Sequence, residues 1–186
     1  MNIVPTGIAG LVVIEPKVFG DDRGFFLETY NQAVFDRAGL TMRFVQDNFS
    51  RSRRGSLRGL HFQNPRSQGK LVRVSQGAVW DVAVDLRLAS PTFGRHYGVE
   101  LTAENRLAFY VPEGFAHGFL TLSEYADFQY KCTDLYSPQD DVGVAWDDPD
   151  LRVPWPLDRI GGPPLLSEKD GRLRSLAQLK TEKLLF

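Results

Sequence analysis

Three histidines occur in the 186-residue chain. One of them, His61, sits in the stretch Leu57-Arg58-Gly59-Leu60-His61-Phe62-Gln63, with the Lys70 ammonium following after a polar turn. A neutral imidazole has an ordinary pKa of about 6.5, so it accepts a proton near neutral pH. A base with two cations close in sequence suits removal of a proton from carbon, because the anion left behind needs positive charge beside it. The competing reading of His61 is a hydrogen-bonded structural residue of a strand. Strict alternation places His61 and Gln63 on one face and Arg58 on the other. For Arg58 and His61 to serve one site the strand must be irregular, and Gly59 is where a bulge fits.

A second constellation is Val111-Pro112-Glu113-Gly114-Phe115-Ala116-His117-Gly118-Phe119. Pro112 and the two glycines shape a tight turn that delivers His117 into a following strand. The P-x-G-x-x-H spacing resembles one half of the cupin barrel signature. In metal-binding cupins the other half supplies a His-x-His pair and a carboxylate. Here it reads His61-Phe62-Gln63, one ligand short, and His96 lies in a different strand. Two histidines and a distant acid fall below the usual three or four convergent ligands, so no metal is expected.

The elements that must position these residues are mostly strands. Strand-like runs are Leu11–Ile14, Phe25–Tyr30, Phe44–Ser50, Leu57–Gln63, Leu71–Ser75, Val79–Leu86, His96–Leu101, Arg106–Val111, Phe119–Leu122, Asp127–Cys132 and Val142–Trp146. Gly20–Gly24 is a turn, and Gln32–Ala38 is the one clear internal helix, closed by Gly39. Many short strands at near-regular spacing predict an antiparallel sandwich or barrel, not a βαβ fold. The tail from Leu173 is weakly amphipathic and helical, with a loose end. In Trp80–Leu86, Val82, Val84 and Leu86 share one face, and Asp81, Ala83 and Asp85 share the other. Two carboxylates there face a polar cavity or, alternatively, solvent at a sheet edge.

Composition narrows the function. A length of 186 residues predicts one domain. A formal net charge of −1 gives no overall field to draw nucleic acid. The single cysteine, Cys132, rules out an internal disulfide and a cysteine-rich zinc site, and fits a reducing cytoplasm. There is no signal-like start and no run of about 18 apolar residues to span a membrane. Arg51-Ser52-Arg53-Arg54 is an exposed basic turn.

The segments Phe19–Glu28, Gln46-Asp47-Asn48, Leu57–Gln63, Gly69–Arg73, Ser90–Gly94, Pro112–Phe119, Tyr130-Lys131 with Tyr136-Ser137-Pro138, and Ser167–Asp170 occur in one order over nearly the whole chain. In that order the chain resembles the dTDP-4-dehydrorhamnose 3,5-epimerase family, metal-independent cupins of deoxysugar biosynthesis. The resemblance implies an all-β fold, a cupin-type antiparallel β-barrel (jelly roll) with a few short helices. It implies a homodimer whose N-terminal strands are exchanged, Leu11–Ile14 being a candidate because an unpaired apolar edge is a liability. The implied substrate is a dTDP-4-keto-6-deoxyhexose. Its C3 and C5 protons both lie alpha to the C4 ketone, which acts as electron sink, so no cofactor is required.

The roles implied follow from that chemistry. His61 is the base, and Asp170 orients its ring and favours the protonated form. From composition alone Asp81 or Asp85 is an equal candidate for that partner. Lys70 holds the developing oxyanion. Tyr130, a phenol with an ordinary pKa near 10, returns a proton from the opposite face. Arg58 and Arg23 meet the diphosphate, and Tyr136 stacks on the thymine. Phe26, Glu28, Gln46, Asn48, His117 and Lys169 match binding positions. Asp47 lies in a binding segment with a side chain suited to holding the loop, and Asp141 stands where the family often carries Glu. Rival readings are an epimerase of C3 or C5 alone, a sugar-nucleotide-binding cupin without turnover, and a metal-dependent cupin oxygenase.

Overall fold

The computed structural model describes residues 1–186. Thirteen strands run β1 Asn2–Pro5, β2 Val12–Glu15, β3 Val18–Asp21, β4 Gly24–Leu27, β5 Gln46–Arg53, β6 Leu57–Gln63, β7 Lys70–Gln76, β8 Ala78–Asp85, β9 His96–Thr102, β10 Ala108–Val111, β11 Phe115–Thr121, β12 Tyr125–Cys132 and β13 Asp141–Gly143. Helix α1 spans Gln32–Arg37 and α2 spans Leu176–Thr181. One sheet has the order β1-β2-β10-β7-β12-β5, a second the order β13-β6-β11-β8-β9, and β3 and β4 form a separate hairpin. All strand pairs in these sheets are antiparallel. The result is a cupin-type jelly roll whose two large sheets are not closed into a continuous barrel.

Side-chain alternation sorts the strands into three apolar layers. Between the sheets lie Val13, Val72, Phe109, Phe115, Phe119 and Phe128. Outside the five-stranded sheet, Leu60, Phe62, Val82 and Val84 pack under Trp155, Leu176, Leu179 and Leu185. Outside the six-stranded sheet, Ile14, Leu71 and Ala108 meet Phe35 of α1. Burying each such Val, Leu or Phe contributes about 1.5–3 kcal/mol. Strand β8 therefore has no solvent face. Its apolar side is covered by the C-terminal segment, and Asp81 and Asp85 are fully buried on the other. Asp85 accepts hydrogen bonds from Arg87, Ser90 and Thr92 and so ties down the β8–β9 connection. Burial lifts its pKa, but these donors outweigh burial and hold it below the ordinary carboxylate value.

Several elements depart from the sequence pattern. The tail is not loose: Ser175 and Gln178 form a capping box at α2, and Leu176, Leu179 and Leu185 are buried. Its weak periodicity reflects a short helix that lays a narrow stripe on a sheet. Strands β1 and β3 escape the pattern because β1 ends in Pro5 and all four residues of β3 are exposed. The Gly20–Gly24 segment is a hairpin tip, with Gly20 paired to Phe25 and Asp21 to Gly24. Strand β11 begins at Phe115, so His117 lies inside it and not before it. Leu11–Ile14 is no unpaired edge: β2 lies between β1 and β10, and the edge on that side of the sheet is β1. No helix is long and apolar enough to cross a membrane.

Candidate active site

Two cavities of about 320 and 330 Å³ share three lining residues, His61, Lys70 and Tyr130. His61 comes from β6 of the five-stranded sheet, while Lys70 and Tyr130 come from β7 and β12 of the six-stranded one. The imidazole and the phenol thus meet a common space from opposite sheets. A larger groove, lined by Phe49, Leu71, Arg73 and Lys131, has Tyr130 as its one member in common with this trio.

The bulge required by the spacing of Arg58 and His61 is present. Against β11, His61 pairs with His117 and Arg58 with Phe119, so two residues of β6, Gly59 and Leu60, stand against one of β11, Gly118. Gly59 has φ +113°, and a Cβ there would stand 2.6 Å from the Gly118 Cα and 2.7 Å from the His117 carbonyl oxygen. Only glycine fits that approach. The extra residue returns both Arg58 and His61 to the cavity side, where Arg58 donates to Ser52 Oγ at 3.0 Å.

His61 Nε2 lies 2.6 Å from Asp170 Oδ1. Asp170 is held in turn by the Ser167 hydroxyl, which donates to Oδ2 at 2.6 Å. Burial pushes the Asp170 pKa up. His61, Ser167 and the Gly59 amide together outweigh burial and leave it below the ordinary carboxylate value. The pair is built for a carboxylate that stays ionised while orienting an imidazole.

Across the cavity, desolvation pulls Lys70 below the ordinary lysine value, against Cys132, Asp141 and Asp81. Cys132 stands opposite Lys70 in the strand register and is buried. Tyr130 is raised, first by burial and then by Cys132 and Asp141, with Arg58 opposing, so its phenol is protonated at neutral pH. A base, a desolvated ammonium and a protonated phenol around one space can move a proton from one face of a carbon acid to the other.

The remaining candidates divide cleanly. Arg58, His117, Lys169 and Asp170 line one cavity, and Gln46, Asn48, Tyr136 and Asp141 the other. Asp141, though shorter than Glu, accepts from Tyr136 Oη at 2.8 Å and pairs with Lys169. Asp47 falls on the outward face of β5 and pairs with Lys131 at 2.9 Å, because β5 alternates and its neighbours Gln46 and Asn48 turn inward. Arg23, Phe26 and Glu28 stand outside both cavities. Arg23 pairs with Asp21 on the hairpin, Phe26 is 68% exposed, and Glu28 accepts from Asn31. Neither Asp81 nor Asp85 partners His61. Asp81 lies 2.8 Å from His117 instead. Sequence reasoning passed over Gln63, whose side chain accepts from the Ser137 amide, and Cys132. Gln63 was open to discovery, since alternation alone puts it on the His61 side. No three His, Cys, Asp or Glu side chains cluster as metal ligands.

This fold and these groups define a jelly-roll protein of the cupin class, with groups able to transfer protons gathered between its two sheets. The model of the dTDP-4-dehydrorhamnose 3,5-epimerase family matches residues 5–178. A dTDP-4-dehydrorhamnose 3,5-epimerase of Methanothermobacter thermautotrophicus is 53% identical over 177 residues, 95% of each chain. The crystal structure of the Legionella pneumophila 3,5-epimerase in complex with dTDP-4-keto-L-rhamnose superposes with a TM-score of 0.93 at 51% identity, covering 99% of this chain and 96% of that one. A dTDP-4-dehydrorhamnose 3-epimerase of Streptomyces niveus is 41% identical over 187 residues, covering 100% of this chain and 88% of its own. The chain belongs to the dTDP-4-dehydrorhamnose 3,5-epimerase family.

Proposed function

We propose that the protein converts dTDP-4-dehydro-6-deoxy-D-glucose to dTDP-4-dehydro-L-rhamnose by inverting C3 and C5 in turn. His61, oriented by Asp170, takes the proton alpha to the C4 ketone. Lys70 holds the enolate oxygen, and Tyr130 delivers a proton from the other side. Arg58 meets the diphosphate, Tyr136 stacks on the base, and Gln46, Asn48, His117, Asp141 and Lys169 hold the rest. The observation that carries this reading is that His61 and Tyr130 come from opposite sheets yet line the same two cavities.

Arg23, Phe26 and Glu28 fit the reading as groups presented to a second copy of the chain. The hairpin that bears Arg23 and Phe26 exposes Phe19, Phe25 and Phe26, an apolar surface suited to a homodimer contact. A second reading, inversion at C3 alone, has the similarity to the 3-epimerase in its favour. One experiment tests both: incubation with dTDP-4-keto-6-deoxyglucose in heavy water, followed by NMR. Loss of the H3 and H5 signals is expected. Loss of H3 alone selects the second reading, and retention of both with tight binding leaves a binding protein without turnover.

A further inference from the structure

One buried acid has no part in that reaction. Asp81 is fully buried on β8, with Oδ1 2.8 Å from His117 Nε2 and Oδ2 without a partner. In the register Asp81 stands opposite Phe119, and His117 opposite Ala83, so the contact runs diagonally across the two strands. The His117 ring also stacks against Phe128, at 6.1 Å between centroids and 28° between planes, and Phe128 stacks on Phe119 at 4.2 Å. With one nitrogen engaged and one face covered, the ring has a single orientation. Its remaining polar atom, Nδ1, belongs to a residue lining the cavity with Arg58, His61 and Lys70. A buried carboxyl oxygen with no donor is costly, and packing alone gives no reason to keep it.

We infer that Asp81 is a positioning residue for the epimerisation: it fixes the orientation and tautomer of His117 so that Nδ1 meets an oxygen of the bound sugar nucleotide. The inference rests on the reading above, in which the substrate occupies this cavity. The step is one of binding, with no bond made or broken. Asp81 acts through His117, and its removal therefore loosens the substrate without removing the base or the acid.

The test is a double-mutant cycle with Asp81→Asn and His117→Gln, followed by steady-state kinetics on dTDP-4-keto-6-deoxyglucose. Asp81→Asn is expected to raise KM by about 10- to 100-fold, the factor that matches a charge-assisted hydrogen bond, with kcat within about threefold of the parent. The double variant is expected to be no worse than His117→Gln alone. Additive losses, or an unchanged KM in Asp81→Asn, overturn the inference. Should that variant fold poorly, 15N NMR of the parent protein decides: saturation with the sugar nucleotide should shift the His117 Nδ1 resonance and leave Nε2 in place, and an unmoved Nδ1 overturns it. Absence of deuterium uptake by the parent protein overturns the reaction itself. Uptake by the parent with KM unmoved in the variant removes only the role of Asp81.

Discussion

His61 and His117 are register partners on neighbouring strands, and each contacts its own carboxylate through Nε2, His61 with Asp170 and His117 with Asp81. The His61 side chain is 29% exposed and the His117 side chain 8%. The acids differ more than the rings. Burial pushes both carboxyl pKa values up, but Asp170 ends below the ordinary value and Asp81 above it. Asp170 also accepts from Ser167 and the Gly59 amide, whereas Asp81 has His117 as its one hydrogen-bond donor, aided by the Lys70 charge. The same pair of residue types therefore yields a part-exposed imidazole in one place and a nearly buried, fixed one at the cavity wall in the other. The number of donors around the acid and the reach of solvent make the difference.

The sharpest way to break this contrast is His61→Ala. Deuterium uptake at both ring carbons should fall by about 10²–10⁴-fold, while dTDP binding survives in calorimetry. Uptake retained by that variant would give the base to another group, His117 first. Next in size, Tyr130→Phe should slow inversion by about 10²-fold and uptake by less, because the enolate can still be reprotonated from the His61 side. Mass spectrometry of deuterated substrate against product formation reads the ratio. Gly59→Ala tests the geometry that sets His61 beside Arg58. It forces a Cβ against β11 and should destabilise the fold by about 1–3 kcal/mol in urea melts.

Asp81→Asn sharpens the electrostatic half. An acid held above its ordinary value binds its proton more tightly in the folded chain. Stability therefore falls as pH rises from about 4 up to the folded pKa, and the loss persists at neutral pH. The amide does not titrate, so the variant's Tm should gain on the parent's between pH 4 and 7, by about 2–4 °C for each kcal/mol relieved. His117 and Lys70 are the charged or titratable groups facing Asp81 and are present in both proteins. For Asp170 the sign reverses: its stabilisation is present above about pH 4 and is lost as acid protonates it. The smallest effect belongs to Asp47→Asn, which breaks an exposed outward pair with Lys131. It should change stability by at most about 1 kcal/mol and leave KM alone.

The strands, and the grouping of His61 with Arg58 and Lys70, were legible in the chain because alternation and glycine placement act over a few residues, while Tyr130, Tyr136 and the other binding residues came from the resemblance. The faces of β8 and the bulge at Gly59 are both local. What pairs with what is not. Asp170 was reached only through the resemblance, since Asp81 and Asp85 are equally good acids by composition and the choice is made by β8, β11 and the Ser167 turn packing together. Asp47 looked like its neighbours in a shared segment, and a period of two separates it from them. The tail hid its function as a cover because the face it covers lies about ninety residues earlier in the chain.

The irregularity at Gly59 has one more implication. Smoothing the strand with all its residues kept would give β6 an even pleat and a smoother hydrogen-bond ladder with β11, and by the usual measures of strand quality a better sheet. It would also rotate the guanidinium and the imidazole to opposite sides. The tidier molecule would be the inert one, and an effort to regularise this strand for stability would discard the enzyme.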